Sequence, residues 1–497
     1  MFVPSPSSIA IVAADGVFTY GDLDAISARV AAALVRTAGS HTRELEERRV
    51  AFRVPPSFAY VTIQRAIWRA GGIAVPLAVS HPPAELDYVV RDAGASIVVG
   101  GGVHGAELSA IAAAAGAQFF PTADLLASDD DEWSDPALSA ERRALIIYTS
   151  GTTGQPKGVV TTHGSLRAQV GALVDAWEWS ADDTALLALP LHHVHGVVNV
   201  LGCAIASGAA CHILPQFDAE SVWERLASGE ITVFSAVPTM YARLIQSWDA
   251  ASAALRRHRA AGARRIRLMM SGSSSLPVAT LERWREITGQ TLLERYGMTE
   301  IGMALSNPLH GTRRAGFVGA PLPGVDVRLV DEAGSAVPEG VAGTLEVRGP
   351  AVFREYWRRP EETRDAFRDG WFRTGDVAIV EDGAYRLLGR ESIDIIKTGG
   401  YKVAAIEIEN ALRTHPSIRD CAVVGVADED WGERVAAVVE LHDAVELQLE
   451  PLREWLRDRV APYKLPTVLH QLDRLPRNAM GKIEKARLRL ALERERI

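Results

Sequence analysis

The stretch that decides the reading is Tyr148–Val159, YTSGTTGQPKGV. An apolar strand, Ala144–Tyr148, leads into it, and a second extended piece, Val159–Thr162, leads out. Its glycines let backbone N–H groups turn towards an anion at close range. Thr149, Ser150, Thr152 and Thr153 add hydroxyl donors, and Lys157 adds a cation. Together these make a phosphate cradle. A P-loop would read G-x-x-x-x-G-K-[ST] and open a helix. Here Gly158 follows the lysine and the next segment is extended, so the P-loop fails on spacing and on context.

Upstream, strands and helices alternate. Arg49–Val54 reads as a strand, Ser57–Ala70 has apolar residues at helical spacing, and Gly72–Leu77 is an apolar strand. A helix over Pro83–Ala93 and a short strand, Ser96–Val99, follow; Ala106–Ala117 reads as a surface helix and Asp129–Asp135 as a loop. Such alternation predicts an α/β fold, with parallel-rich sheets sandwiched by helices in a large N-terminal region. Downstream of the loop, Leu166, Val170, Leu173, Val174 and Trp177 line one helical face. Near Tyr385–Arg390 the pattern changes to a helix (Ala405–Thr414), two strands (Cys421–Val426 and Val435–Leu441) and a helix (Leu449–Val460). That is a small C-terminal α+β domain. The expected division is 1–389 and 390–497.

Bulk properties exclude several classes. The chain has 497 residues, 47% hydrophobic and 23% charged, as in a globular protein of more than one domain. A net charge of -9 argues against nucleic acid as a partner. Cys203, Cys211 and Cys421 have no metal-ligand spacing and suggest a reducing compartment. The N-terminus carries no secretory pattern and no run is long enough to span a membrane, so a cytoplasmic protein without a membrane partner is expected. Only six of the 53 lysine and arginine residues are lysines, which marks each lysine as present for its own chemistry.

Further motifs follow in order: PLHHVHG (Pro190–Gly196), SGSSSLP (Ser271–Pro277), RYGMTE (Arg295–Glu300), RTGD (Arg373–Asp376), GR (Gly389–Arg390), KTGGYKV (Lys397–Val403) and NAMGK (Asn478–Lys482). The ordered set, spanning almost the whole chain, resembles the acyl-adenylate-forming superfamily of acyl-CoA synthetases, luciferases and adenylation domains. The resemblance implies an ATP-dependent acid–thiol ligase with Mg²⁺ as cofactor and ATP, coenzyme A and a small acid as substrates.

It also implies roles. The C-terminal domain is mobile and inserts Lys482 at the α-phosphate. Glu300 and Thr149 hold Mg²⁺, a hard cation suited to oxygen ligands. Ser150, Gly151, Thr152, Thr153, Gly154 and Lys157 grip the phosphates. Asp376 takes the ribose hydroxyls with Arg390 alongside. Ser273, Ser274 and Ser275 lie against adenine, Tyr296 stacks on it, and Gly297, Met298 and Thr299 complete that wall. His193 gates the acyl pocket with His195 as a polar neighbour, while His192 faces elsewhere. Gly399, Gly400 and Lys402 meet coenzyme A. The segment GRESIDIIK is one residue longer than in many relatives, which puts the pivot within Ser392–Asp394.

Within the superfamily the chain most resembles malonyl-CoA synthetases, through ERYGMTEIGMALSNPL (Glu294–Leu309), PLHHVHGV and VPTMYARL (Val237–Leu244). A dicarboxylate needs a cation at the far end of a short pocket. By resemblance Arg243 supplies it, helped by Ser271 and His193. A helix-surface arginine is the competing reading of Arg243, and Arg313 and Arg314 are alternative cations. One methyl separates methylmalonate from malonate, a difference the sequence does not resolve. Another ligase of the superfamily, for another small, medium-chain or aromatic acid or an amino acid, and a non-catalytic nucleotide-binding regulator are the rival readings. Oligomeric state is not encoded in any motif.

Overall fold

The computed structural model describes residues 4–39, 43–129, 133–149, 156–399, 401–442, 447–478 and 481–494. Ser150, Gly151, Thr152, Thr153 and Gly154 of the glycine-rich loop, and Gly400, lie outside the described residues.

The loop is flanked by a hairpin. Arg143–Thr149 and Lys157–Thr162 pair antiparallel, with Thr149 opposite Lys157. Only then does the chain turn into a helix, His163–Ala176, capped by the Thr162 hydroxyl accepting the Ser165 amide at 3.0 Å. That helix stops one residue short of expectation: Trp177 is its C-cap, fully buried, with its indole N–H donating to Ser306 Oγ at 3.1 Å.

Around the hairpin a seven-stranded sheet runs in the order Glu355–Tyr356, Lys157–Thr162, Arg143–Thr149, Ile73–Pro76, Arg49–Arg53, Ile97–Gly100, Gln118–Pro121. From Arg143–Thr149 outward its pairings are parallel, and the inner strands are apolar on both faces, as a helix-covered parallel sheet requires. A nine-stranded sheet has a parallel centre that includes Thr184–Leu187, Val233–Ala236, Leu268–Ser271 and Leu293–Met298. A third, antiparallel sheet holds Asp326–Val330, Gly343–Arg348, Trp371–Glu381 and Ala384–Arg390. These three sheets form the body of the molecule.

The body's last strand ends at Arg390, in register with Asp376. The next strand, Ile395–Thr398, belongs to a separate five-stranded sheet with Tyr401–Ala404, Gly432–Leu441, Ile418–Asp428 and Val468–Gln471. That sheet has its own apolar core, including Ile396, Ile408, Val423, Val435 and Leu452. The expected tail helix is shorter, Ala405–Leu412; the first tail strand is longer at both ends, and the second starts three residues earlier, at Gly432. The α/β body with a small α+β tail is the architecture that the sequence pattern predicts. Among the described residues no helix is long and apolar enough to cross a membrane.

Candidate active site

The strand Leu293–Met298 organises the site, because successive side chains on a strand point to opposite faces. Tyr296 leaves on one face, and its hydroxyl donates to the Asp376 carboxylate. The other Asp376 oxygen is 2.9 Å from Arg390 Nε, delivered by the neighbouring strand. The Asp376 amide donates to Thr374 Oγ1 at 3.0 Å. Glu300, in the turn after that strand, accepts the Tyr356 hydroxyl at 3.0 Å, and its carbonyl accepts the Phe353 amide at 2.7 Å. Glu300 and Asp376 are each 6% exposed. Burial pushes both carboxyls up, and Arg390 opposes that for both. Two buried carboxylates thus share one guanidinium, a place that attracts a further cation.

Among the described residues no cluster of three or more His, Cys, Asp or Glu could hold a metal by itself. The residues do fit Mg²⁺ shared with phosphates and water: Glu300 offers a buried carboxylate oxygen, and Thr149 ends the strand entering the loop. Lys157 opens the return strand, ion-paired with Glu362 and 5.4 Å above the Tyr356 ring. Gly297, Met298 and Thr299 are half-buried between Tyr296 and Glu300. Ser274 is half-buried and Ser275 exposed in the turn after Leu268–Ser271.

Arg295 leaves the strand on the opposite face from Tyr296. It is 4% exposed, contacts His195 Nε2, and lies 3.5 Å from Ser235 Oγ. Its Nε has no partner, and among the described residues no carboxylate is within ion-pair distance. Desolvation pushes its pKa down to about 9. A methyl group on Gly272 would stand 1.8 Å from its Nη1, so only glycine lets the guanidinium pass there. Ser271 Oγ, one residue earlier, is buried without a partner.

His195 is the hub of this side. Nε2 accepts from Arg295 and is 2.8 Å from Ser235 Oγ, which leaves the proton on Nδ1, 2.9 Å from Ser273 Oγ. Burial and the Arg295 charge hold His195 neutral. Ser273 is exposed and has φ +69, a left-handed conformation uncommon outside glycine. His193 is pushed down to about 4 by burial and by His81. His192 does not face elsewhere. Its ring lies 4.3 Å from His193 and 5.8 Å from His81, and burial pushes it down to about 3.

Arg243 is not at this centre. It is exposed on the helix Pro238–Ala250, over the Phe217 ring at 4.8 Å, with its charge acting on Asp218. The physical reason is helical spacing. Tyr241 and Leu244 take the buried stripe, and the position between them turns to solvent. Arg313 is tied to the Thr291 and Leu309 carbonyls at 2.6 and 2.7 Å, and Arg314 lies over Phe317 at 3.8 Å. Strand alternation across ERYGMTE was the signal for Arg295: if Tyr296 faces nucleotide, its neighbour faces the other way.

The tail closes over this region. A methyl group on Gly481 would lie 2.9 Å from Thr239 Oγ1 of the body, and the Lys482 charge opposes the rise that burial imposes on Asp376 and adds to the lowering of Asp394. Lys482 is exposed, and its backbone is held by Asn478, whose Oδ1 accepts the Lys482 amide at 3.0 Å. Lys402 reaches the body at Glu332, 2.8 Å away. Gly399, at φ +54, lies under the Trp431 ring.

Residues 4–357 match the family described as AMP-binding enzyme, and residues 407–482 match the AMP-binding enzyme C-terminal domain. The chain is 47% identical over 519 residues to the mitochondrial malonate–CoA ligase ACSF3 of Xenopus laevis, covering 96% of this chain and 89% of that one. It is 46% identical to the Homo sapiens protein of that name over 97% of this chain and 89% of the relative. Among solved structures, ATP-bound MatB from Rhodopseudomonas palustris superposes with a TM-score of 0.91 at 36% identity, over 99% of this chain and 97% of the other. The apo form of the same protein, with the same coverage, gives 0.81 at 35% identity.

Proposed function

The chain belongs to the AMP-binding enzyme family, and we propose that it is a malonate–CoA ligase. One malonate carboxylate attacks the α-phosphorus of ATP, giving malonyl-adenylate and pyrophosphate. The coenzyme A thiol then attacks the acyl carbon and AMP leaves. A free carboxylate is a poor electrophile; joining it to AMP removes its charge and gives it a leaving group.

The observation that carries the malonate reading is the buried Arg295 with no acidic partner. A guanidinium taken out of water needs a carboxylate, and its planar fork binds one bidentately. Arg295 takes the distal carboxylate, with Ser271 Oγ as an adjacent donor. His195, kept neutral, accepts from Arg295 and aims it. A monocarboxylic acid would leave Arg295 unpaired, which disfavours acetate and fatty acids.

On the nucleotide side, Asp376 takes the ribose hydroxyls, and Tyr296, whose hydroxyl already engages Asp376, forms the wall against adenine with Ser273, Ser274, Ser275 and the Gly297–Thr299 backbone. Thr149, the glycine-rich loop and Lys157 hold the phosphates. Glu300 and Thr149 hold Mg²⁺, which when bound neutralises phosphate charge. Lys482 meets the charge that develops at the α-phosphate. The better superposition on the ATP-bound relative than on its apo form supports a tail posture suited to this half-reaction. We divide the chain after Arg390, the last residue of the body sheet and one residue beyond the expected 389/390, with the crossing through residues 391–394. The coenzyme A contacts of Gly399, Gly400 and Lys402 belong to a turned tail, in which Lys402 leaves Glu332. His193 stands by the acyl group as a neutral gate.

The test is a substrate panel. Purified protein with ATP, Mg²⁺, malonate and coenzyme A should form AMP, pyrophosphate and malonyl-CoA. Faster turnover of acetate or octanoate than of malonate would remove the dicarboxylate reading. The cytoplasm is the proposed location, supported by three buried, free cysteines. Animal relatives are named as mitochondrial, so cell fractionation decides it.

A further inference from the structure

Lys485 is one of the six lysines and stands three residues after Lys482, at the start of the helix Lys485–Arg494. No part of the reaction outlined above uses it, yet it is half-buried in outline with its ammonium enclosed. Nζ lies 2.5 Å from Asp394 Oδ1 and 2.6 Å from Glu409 Oε1. A buried ammonium is tolerated only with such matched partners.

The two carboxylates differ in what else they hold. Glu409 sits in the tail helix Ala405–Leu412, and its Oε1 also accepts the Val423 amide at 2.8 Å, so it is fixed within the tail. Asp394 ends the crossing segment. Its carbonyl accepts the tail's Ala405 amide at 2.8 Å, whereas its Oδ2 accepts the body's Arg390 amide at 2.9 Å. Gly389 is at φ +123, and a methyl group there would stand 2.3 Å from Asp394 Cβ. Only glycine permits that approach. Arg390 in turn grips Asp376, which Tyr296 also engages.

A continuous line of polar contacts therefore runs Tyr296, Asp376, Arg390, Asp394, Lys485. We propose that Lys485 is a positioning residue: through Asp394 it clasps the tail, and Lys482 with it, to the body in the posture for adenylate formation. The proposal rests on the ligase reading and its two half-reactions. One carboxylate serves both sides. Its Oδ1 end is bound to a tail cation and travels with the tail. Its Oδ2 end is bound to a body amide and parts from it when residues 391–393 change their φ and ψ. A single charge-assisted hydrogen bond is strong enough to bias the posture and weak enough to break in each cycle. Two further ion pairs cross the interface among the described residues: Lys402 to Glu332 is exposed on both partners, and Arg386 to Glu407, at 3.7 Å, is partly exposed on both, so each contributes little.

Both half-reactions are measured on full-length wild type, Lys485→Met, Lys485→Arg and Asp394→Asn. Malonyl-adenylate formation is followed by pyrophosphate release, and thioester formation is started from supplied malonyl-adenylate with coenzyme A. Lys485→Met and Asp394→Asn should lose about five- to a hundredfold in adenylation and keep thioester formation within about twofold. Lys485→Arg should recover most of the lost adenylation. Equal falls in both half-reactions, or no fall in either, overturn the clasp. If Lys485→Met unfolds the tail, Asp394→Asn decides by the same split, since it leaves Lys485 paired with Glu409. Wild type that forms no malonyl-adenylate overturns the malonate reading instead, and the split is then read with the acid that wild type activates.

Discussion

Arg295 and Arg243 present opposite faces of one physical rule. A guanidinium buried without a carboxylate is costly and waits for one; an exposed guanidinium over a phenyl ring is already at rest. Replacing Arg295 with Gln should lower malonate kcat/KM by about two to four decades, the cost of leaving a buried carboxylate without its ion partner. Activity on propionate should not fall in step, so the preference for malonate collapses. An unchanged malonate-to-propionate ratio would show that the distal carboxylate is held by another group. Arg243→Ala should leave malonate turnover within about twofold, because exposed charges contribute little. A large loss there would return Arg243 to the site. The sequence held both arginines in recognisable motifs, and resemblance pointed to the one that the fold leaves exposed, because helix phase, not motif membership, decides which side chain turns inwards.

At the scale of the element, the strand Leu293–Met298 carries a buried group on the face away from Arg295. Glu294 is 6% exposed, accepts the Gly316 amide at 3.1 Å, and burial pushes its pKa up to about 8. The native state therefore holds a proton that the unfolded chain gives up in the ordinary carboxyl range. The unfolded state binds fewer protons across that interval, so Glu294 erodes stability as pH rises from about 4.5 to about 8. Glu294→Gln should raise the melting temperature at pH 8, by an amount equivalent to roughly 2–5 kcal/mol, and the gain should close towards pH 5. A gain that did not vary with pH would mean that the carboxyl is ionised in both states. Several local elements were legible in the chain because period and flanking glycines are local signals. Pro83–Ala93 falls where helical spacing puts it, Arg49–Arg53 ends one residue before the expected Val54, and Lys157–Thr162 begins two residues before the expected Val159. Resemblance put His195 and Ser271 at the acyl pocket, but that Ser235 and Arg295 join them was not legible, since those residues come from separate elements of the body and only the strand order brings them together.

At the scale of the whole molecule, the proposed function has the body grip the nucleotide and acid while the tail brings one lysine to them, so the two half-reactions make different demands on the same chain. Adenylate formation needs a cation where charge gathers on the α-phosphate, and Lys482 approaches from the tail with Gly481 seated against Thr239. Thioester formation, on the proposed reading, needs a path for the coenzyme A thiol to the same carbonyl, and with it a turned tail. Both postures use the segment between Arg390, last in the body sheet, and Ile395, first in the tail sheet. Lys482→Ala should therefore lose adenylation by at least about two decades, as when one preorganised charge is taken from a transition state. It should still convert supplied malonyl-adenylate and coenzyme A to malonyl-CoA at close to the wild-type rate, because the charge to be neutralised in that step is no longer forming on phosphorus. Pyrophosphate release and thioester appearance, measured separately on the same preparation, distinguish this from a general loss of activity. Parallel loss of both would mean that Lys482 acts on the fold or on a shared step, and that a tail with two working positions does not describe this enzyme.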